Sequence, residues 1–177
     1  DVYTLEDALV VGCLLNTLIN HSDRVKIACL AQLVNVIAPI MTVTGGPMWL
    51  QTIFYPYMYA ARYGRGTALQ AEVDCETYAA GEKKAIPYVD CSAVFSEETG
   101  QLTLFIVNRH LTDSLELSLE MKGLPVSRVL EHKVLTHADL KAVNSPEHPE
   151  HVAPQDAEAS VDSVTLQPHS YHMIRLV

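Results

Sequence analysis

The sequence is poor in positive charge, and this limits the possible partners. Its 177 residues include 12 lysines and arginines against 21 acidic residues, a formal net charge of -9. Nucleic acids and anionic membranes are bound through lysine and arginine, so we expect neither a nucleic acid nor a membrane partner. No apolar run approaches the roughly 20 residues that span a bilayer, and we identify no signal peptide after Asp1.

Cysteines are also few, and none of the four lies in a C-x-x-C pair. Cys13 and Cys29 lie in apolar runs typical of a core. Cys75 and Cys91 could face each other across strands, but buried free thiols are favoured. These features indicate an intracellular, cytoplasmic protein. We expect no cofactor and no metal, because Pro149 and the polar surroundings of residues 147–151 (EHPEH) favour a solvated loop over a metal site.

The first third of the chain has the pattern of an α/β protein. Thr4 followed by Asp7 is a helix-start signal, and apolar residues at helical spacing predict a helix over residues 5–20. The apolar run 25–33 predicts a buried parallel strand. After a loop with Gly45-Gly46-Pro47, residues 48–63 are predicted to form a second helix, kinked at Pro56.

Beyond residues 64–66 the pattern changes to short strands separated by turns. A polar stretch over residues 143–160 is predicted to be a loop, and the last two strands flank Gln167-Pro168-His169. Such spacing predicts a β-sandwich. The predicted strands cover residues 68–73, 93–95, 102–107, 115–121, 126–135, 161–166 and 170–177.

The α/β part is incomplete by itself. One parallel strand between two helices has no neighbours to bond its backbone N–H and C=O groups, and unpaired buried groups are costly. Residues 1–66 are therefore predicted to be the last part of a (β/α)₈ TIM barrel, followed by an all-β domain over residues 67–177. The alternative is a small α+β domain in which residues 25–33 join an antiparallel sheet.

Several ordered motifs give the chain a family resemblance. It resembles the family fifty-one glycoside hydrolases, the intracellular α-L-arabinofuranosidases. The resemblance implies a TIM barrel followed by a jelly-roll β-sandwich, commonly in a homo-oligomer, a hexamer. Residues 5–20, 25–32 and 48–63 would be the seventh helix, eighth strand and eighth helix of the barrel. The motifs are residues 5–12 (LEDALVVG), 26–40 (KIACLAQLVNVIAPI), 45–47 (GGP), 51–53 (QTI), 61–66 (ARYGRG) and 166–171 (LQPHSY).

The resemblance also implies a retaining glycosidase whose two glutamates lie upstream of Asp1. Such enzymes need two carboxyl groups about 5–5.5 Å apart. Glu6 and Asp7 do not fit, because acids in the first turn stabilise a helix start and adjacent helical residues point in different directions. The parent protein would hydrolyse terminal α-L-arabinofuranosyl residues of arabinan, arabinoxylan or their oligosaccharides, and this chain alone is predicted to be inactive.

Two residues are candidates for substrate binding. Gln32 should lie at the carboxyl end of the eighth barrel strand, and the resemblance implies that its amide contacts an arabinofuranose hydroxyl. Trp49 could line the sugar cleft, although packing at a helix start is favoured. Asn35 is predicted to brace the loop. The alternative function is a non-catalytic β-sandwich module for assembly or carbohydrate binding, although the sandwich offers few aromatic residues.

Overall fold

A computed structural model describes all 177 residues, which form two helices and twelve strands. The helices are α1 (Leu5–Asn20) and α2 (Phe54–Tyr63). The strands are β1 (Ile40–Thr42), β2 (Met48–Leu50), β3 (Thr67–Leu69), β4 (Thr77–Ala80), β5 (Lys83–Pro87), β6 (Val89–Ser96), β7 (Gln101–Asn108), β8 (Leu115–Ser118), β9 (Val129–Leu135), β10 (Gln155–Asp156), β11 (Ser163–Leu166) and β12 (Ser170–Leu176). Neither helix is both long enough and apolar enough to cross a bilayer.

The centre of the fold is a six-stranded antiparallel sheet in the order β10-β9-β12-β7-β6-β3. Strand β12 lies between β7 and β9, so that Met173 is opposite Phe105 on one side and Lys133 on the other. Hairpin β6–β7 is in register over its whole length, from Val89 opposite Asn108 to Ser96 opposite Gln101. The sheet therefore joins segments that are far apart in sequence.

One face of this sheet packs against the two helices. Because side chains alternate along a strand, Tyr171 and Met173 of β12 lie on the same face, with Phe105 and Val107 of β7. They pack against Leu5, Ala8 and Leu9 of α1 and Tyr55 and Tyr59 of α2. Helix and sheet approach closely at Gly12, where an added Cβ would lie 2.9 Å from Cδ2 of Tyr171.

The opposite face forms the interior of a sandwich. Leu104, Ile106, Ile174 and Leu176 point into it from the large sheet. A second, two-stranded sheet of β8 and β11 covers them, with Val164 and Leu166 among its buried residues. The protein is thus mostly β-sheet, with two helices on the outer face of the larger sheet.

The helix predicted over residues 5–20 is confirmed, and so is its start. Thr4 caps α1: its Oγ1 accepts a hydrogen bond from the backbone N–H of Asp7, and the Asp7 carboxylate accepts one from the Thr4 N–H. Glu6 pairs with Lys141. Both acids therefore serve the helix start, as their position in the first turn indicates.

Residues 25–33 are a correction, because they form no strand here. An isolated parallel β-bridge joins Val34, just after this run, to Ile40. A parallel strand needs neighbouring strands, and the chain provides none beside this run. The run is largely exposed, with 84% of Ile27 accessible to solvent. A TIM barrel is accordingly not formed by this chain.

The second helix is also shorter than predicted. It begins at Phe54, while residues 48–50 form β2, paired with β1. Pro56 lies in the first helical turn, where a missing N–H breaks no bond, so it does not kink the helix.

The β part confirms most predicted strands and corrects the end of the chain. Residues 163–166 and 170–176 are strands, but they do not pair with each other as a hairpin. Strand β11 pairs with β8 in the small sheet, whereas β12 enters the large sheet. The chain therefore crosses between the two layers at residues 167–169. The hairpin of β4 and β5 was not predicted.

Candidate functional site

Gln32 opens a loop with an unusual backbone. Gln32, Asn35 and Val36 have positive φ angles of 55°, 62° and 57°. Left-handed conformations are uncommon for residues other than glycine, and for a β-branched residue such as Val36 they are outliers. Such strain often occurs in functional loops. The side chain of Gln32 is exposed and forms no hydrogen bond within the chain.

Asn35 braces this loop, as the sequence predicted. Its Oδ1 accepts a hydrogen bond from the Thr42 N–H at 2.7 Å, and its Nδ2 donates to Thr42 Oγ1 at 2.9 Å. The Asn35 N–H donates to the Ile40 carbonyl at 2.8 Å. The loop between Gln32 and β1 is thus closed by bonds across its base.

The opening segment of the chain, residues 1–4, runs beside the same loop. The Asp1 nitrogen donates to the Val36 carbonyl at 2.6 Å, and the Tyr3 hydroxyl donates to the Ile37 carbonyl at 3.0 Å. These two bonds connect the opening segment to the left-handed part of the loop.

The buried side chain of Gln51 makes a third connection. Its Oε1 accepts from the Tyr3 N–H at 3.0 Å, and its Nε2 donates to the Ala38 carbonyl at 2.7 Å and to the Asp1 carbonyl at 3.4 Å. Only 2% of Gln51 is exposed. The sequence showed Gln51 in a family motif but gave no sign of this role, because its partners are backbone atoms distant in the chain.

Trp49 lies in β2, opposite Met41 of β1, and is half-buried. It is therefore part of a short hairpin and not of a helix start, which corrects that alternative. No hydrogen bond joins it to Gln32. Its place in the sugar cleft stays a prediction.

Six large apolar side chains are exposed to solvent. Four belong to the loop and its flanks, and two belong to the outer side of α1. The residues, each more than half exposed, are Val10, Leu14, Ile27, Leu33, Val36 and Met48.

No carboxylate pair or metal cluster lies beside this loop. Glu6 and Asp7 are engaged at the start of α1. No group of three or more His, Cys, Asp or Glu side chains could hold a metal ion. Glu147, in the stretch considered for a metal, accepts a hydrogen bond from its own backbone N–H and another from Ser145, and these bonds hold the pKa of its carboxyl below the usual value. The local chemistry is that of an amide that can donate and accept at a neutral hydroxyl.

Comparison with known proteins places these features in context. The family model of the α-L-arabinofuranosidase C-terminal domain matches residues 1–170. An intracellular exo-α-(1→5)-L-arabinofuranosidase of Halalkalibacterium halodurans is 50% identical over 99% of this chain and 36% of its own length. Intracellular exo-α-(1→5)-L-arabinofuranosidase 1 of Bacillus subtilis is 46% identical, again over 99% of this chain and 36% of its own length.

Solved structures agree with the sequence comparisons. A family 51 α-L-arabinofuranosidase from Bifidobacterium longum matches all of this chain and 36% of its own, with a TM-score of 0.94 and 35% identity. An α-L-arabinofuranosidase from Thermotoga maritima, solved with arabinose, matches all of this chain and 39% of its own, with a TM-score of 0.86 and 26% identity. The chain thus spans little more than a third of the length of these relatives.

Proposed function

The chain belongs to the α-L-arabinofuranosidase C-terminal domain family, and we propose that it is the C-terminal portion of a retaining α-L-arabinofuranosidase. The parent enzyme releases terminal α-L-arabinofuranosyl residues from arabinan, arabinoxylan or their oligosaccharides. The observation that carries this proposal is the family match over residues 1–170 together with relatives named as arabinofuranosidases at up to 50% identity. The match includes both the helical and the β part, so it does not favour an independent binding module.

The exposed apolar side chains of the loop and its flanks support the placing of this chain in a larger protein. In the proposed parent, residues 1–66 complete a TIM barrel whose other strands pair with residues 25–32 and cover Ile27 and Leu33. Burying an exposed aliphatic side chain contributes about 1.5–3 kcal/mol, so these side chains give a strong reason for association. Residues 67–177 form most of a jelly-roll β-sandwich.

The chemistry is divided between this chain and residues that precede it. Two upstream glutamates act as acid/base and nucleophile, about 5–5.5 Å apart, and form a glycosyl-enzyme intermediate that water then hydrolyses. Gln32 contributes an uncharged amide that holds a sugar hydroxyl, and Trp49 lines the cleft. The loop that follows Gln32 is braced by the Asn35–Thr42 hydrogen bonds, which supports a defined position for this amide.

Location and assembly follow from the relatives and from the family resemblance. Several relatives are named intracellular enzymes, which supports a cytoplasmic location. The resemblance supports a homo-oligomer of the parent protein, a hexamer in the family.

An activity assay with an aryl α-L-arabinofuranoside tests the proposal. We expect turnover by the full-length polypeptide that contains this chain and none by residues 1–177 alone. Turnover by the isolated chain would show that its own residues supply the carboxylates. A full-length protein without activity on any arabinofuranoside would refute the assignment.

A further inference from the structure

Gln51 is a buried connector between two segments that precede it, one by 13 residues at Ala38 and the other by 48 to 50 residues at Tyr3 and Asp1. Its amide is fully used, because the oxygen faces one N–H donor and the nitrogen faces two carbonyl acceptors. A flipped amide would place its oxygen against both carbonyls, so the partners fix one orientation. Loss of a partner in a buried site leaves groups unsatisfied, so this contact resists opening.

Gln51 connects the loop that begins at Gln32 to the opening segment, residues 1–4. The Nε2 bond to Ala38 reaches the loop just after its left-handed residues, and the bonds to Tyr3 and Asp1 reach the opening segment. Left-handed residues other than glycine are disfavoured, so the loop does not keep this path by its own preference. Bonds from outside the loop are needed, and Gln51 is the buried one among them.

The hydrogen bonds of Gln51 affect hydrolysis if they align the catalytic carboxylates with the sugar-binding amide. In the proposed enzyme, which this inference rests on, the reactive carboxylates precede Asp1 and the sugar-binding amide is Gln32. The opening segment follows the part of the parent chain that carries the carboxylates, and the loop carries Gln32. A misplacement of about 1 Å between reacting groups can reduce the rate about 100-fold.

We propose that Gln51 is a positioning residue for glycoside hydrolysis, which sets the place of Gln32 relative to the chain that enters at Asp1. It does not touch the sugar. Tyr3, whose hydroxyl bonds the Ile37 carbonyl, is a weaker second connection of the same kind.

The test uses the full-length protein and an aryl α-L-arabinofuranoside, beginning with turnover by the unmodified enzyme. Gln51→Met keeps the length of the side chain and removes all three of its hydrogen bonds. Thr52→Val is the matched control. Thr52 is equally buried and donates to the carbonyls of Tyr3 and Thr4, but its side chain makes no hydrogen bond to the loop.

We expect Gln51→Met to lower kcat about 10- to 100-fold with a smaller change in KM, because alignment matters most in the transition state. Thr52→Val should lose thermal stability without a comparable loss of kcat. Since Gln51 acts through Gln32, the double variant Gln32→Ala/Gln51→Met should lose little more activity than Gln32→Ala alone.

Tyr3→Phe keeps the inference testable if Gln51→Met does not fold. The Tyr3 hydroxyl bonds an exposed carbonyl, so its removal should leave the fold intact while lowering kcat several-fold, again non-additively with Gln32→Ala. Losses that add to that of Gln32→Ala, or equal effects of Gln51→Met and Thr52→Val, would overturn the inference. An unmodified enzyme without turnover would refute the proposed function itself.

Discussion

His132 and His172 form a buried hydrogen-bonded pair, with Nε2 of His132 lying 2.9 Å from Nδ1 of His172. The pair extends at both ends, to the Glu158 carbonyl at 3.0 Å and to Ser170 Oγ at 2.7 Å. Burial, and then the neighbouring His132, lowers the pKa of His172 to about 3. Burial also lowers the pKa of His132. The pair is therefore neutral in the folded protein near pH 7.

This pair should make stability depend on pH. Below about pH 6.5 His172 is protonated in the unfolded chain but stays neutral in the folded protein. The free energy of unfolding therefore falls as the pH decreases toward about 3. The loss reaches about 1.4 kcal/mol per pH unit for each such histidine. We expect His172→Gln to have a shallower slope between about pH 7 and pH 5 in urea unfolding. The exposed His21→Gln is the control, and equal slopes for wild type and His172→Gln would contradict the expectation.

Gly12 should resist substitution although alanine is the better helix former. The added Cβ would lie 2.9 Å from Tyr171 Cδ2 and 3.1 Å from Val107 Cγ2, both in the buried helix–sheet contact. Overpacking of this kind costs about 1–3 kcal/mol, which exceeds the gain of about 1 kcal/mol in helix propensity. Chemical denaturation of Gly12→Ala measures the net effect, with Thr17→Ala on the exposed side of α1 as the control. An equally stable Gly12→Ala would show that α1 can move away from the sheet.

Gln32→Ala should affect catalysis and not folding. Its side chain is exposed and unbonded within the chain, so the thermal midpoint should not change. Loss of a hydrogen bond to the sugar in the full-length enzyme should lower kcat/KM about 10- to 100-fold, equivalent to about 1.4–2.7 kcal/mol. Gln70→Ala, at an exposed glutamine after β3, is the control. An unchanged kcat/KM would remove Gln32 from the substrate site.

Cysteine labelling should show whether the proposed barrel covers residues 25–33 in the full-length protein. Cys29 is exposed in this chain, whereas burial, and then Asp90, raises the pKa of Cys13 to about 12 and that of Cys91 to about 11. A thiol-reactive reagent near pH 8 should therefore modify Cys29 first in residues 1–177, because thiolate is the reactive form. In the full-length protein we expect Cys29 to be protected by neighbouring strands. Peptide mass mapping measures both, and equal labelling of Cys29 in the two proteins would argue against the barrel.

The elements that sequence predicted best are those whose signals are local. Helix α1 has a cap and an apolar face within its own residues, and the predicted strands 93–95 and 102–107 are close in sequence and pair directly. Residues 25–33 have equally clear strand character, yet they form none. A parallel strand forms only beside other strands, and this chain places no strand next to the segment.

The partners of distant segments were beyond sequence reasoning. Nothing in residues 161–177 shows that β11 pairs with β8 while β12 pairs with β7 and β9. Likewise, nothing in the sequence shows that His172 is hydrogen-bonded to His132 on another strand. In the candidate site, the motif led to Gln32 and the loop position of Asn35, but the role of Gln51 depends on three backbone groups brought close only by folding.

The position of β12 also affects how the protein is made. It lies in the interior of the six-stranded sheet, and β9 is joined to β7 only through it. During synthesis, residues 101–108 and 129–135 therefore emerge from the ribosome long before the strand that unites them. The nascent chain must keep these apolar strands from aggregating until residues 170–176 arrive, and a premature stop codon ahead of residue 170 would leave two sheet fragments with open edges.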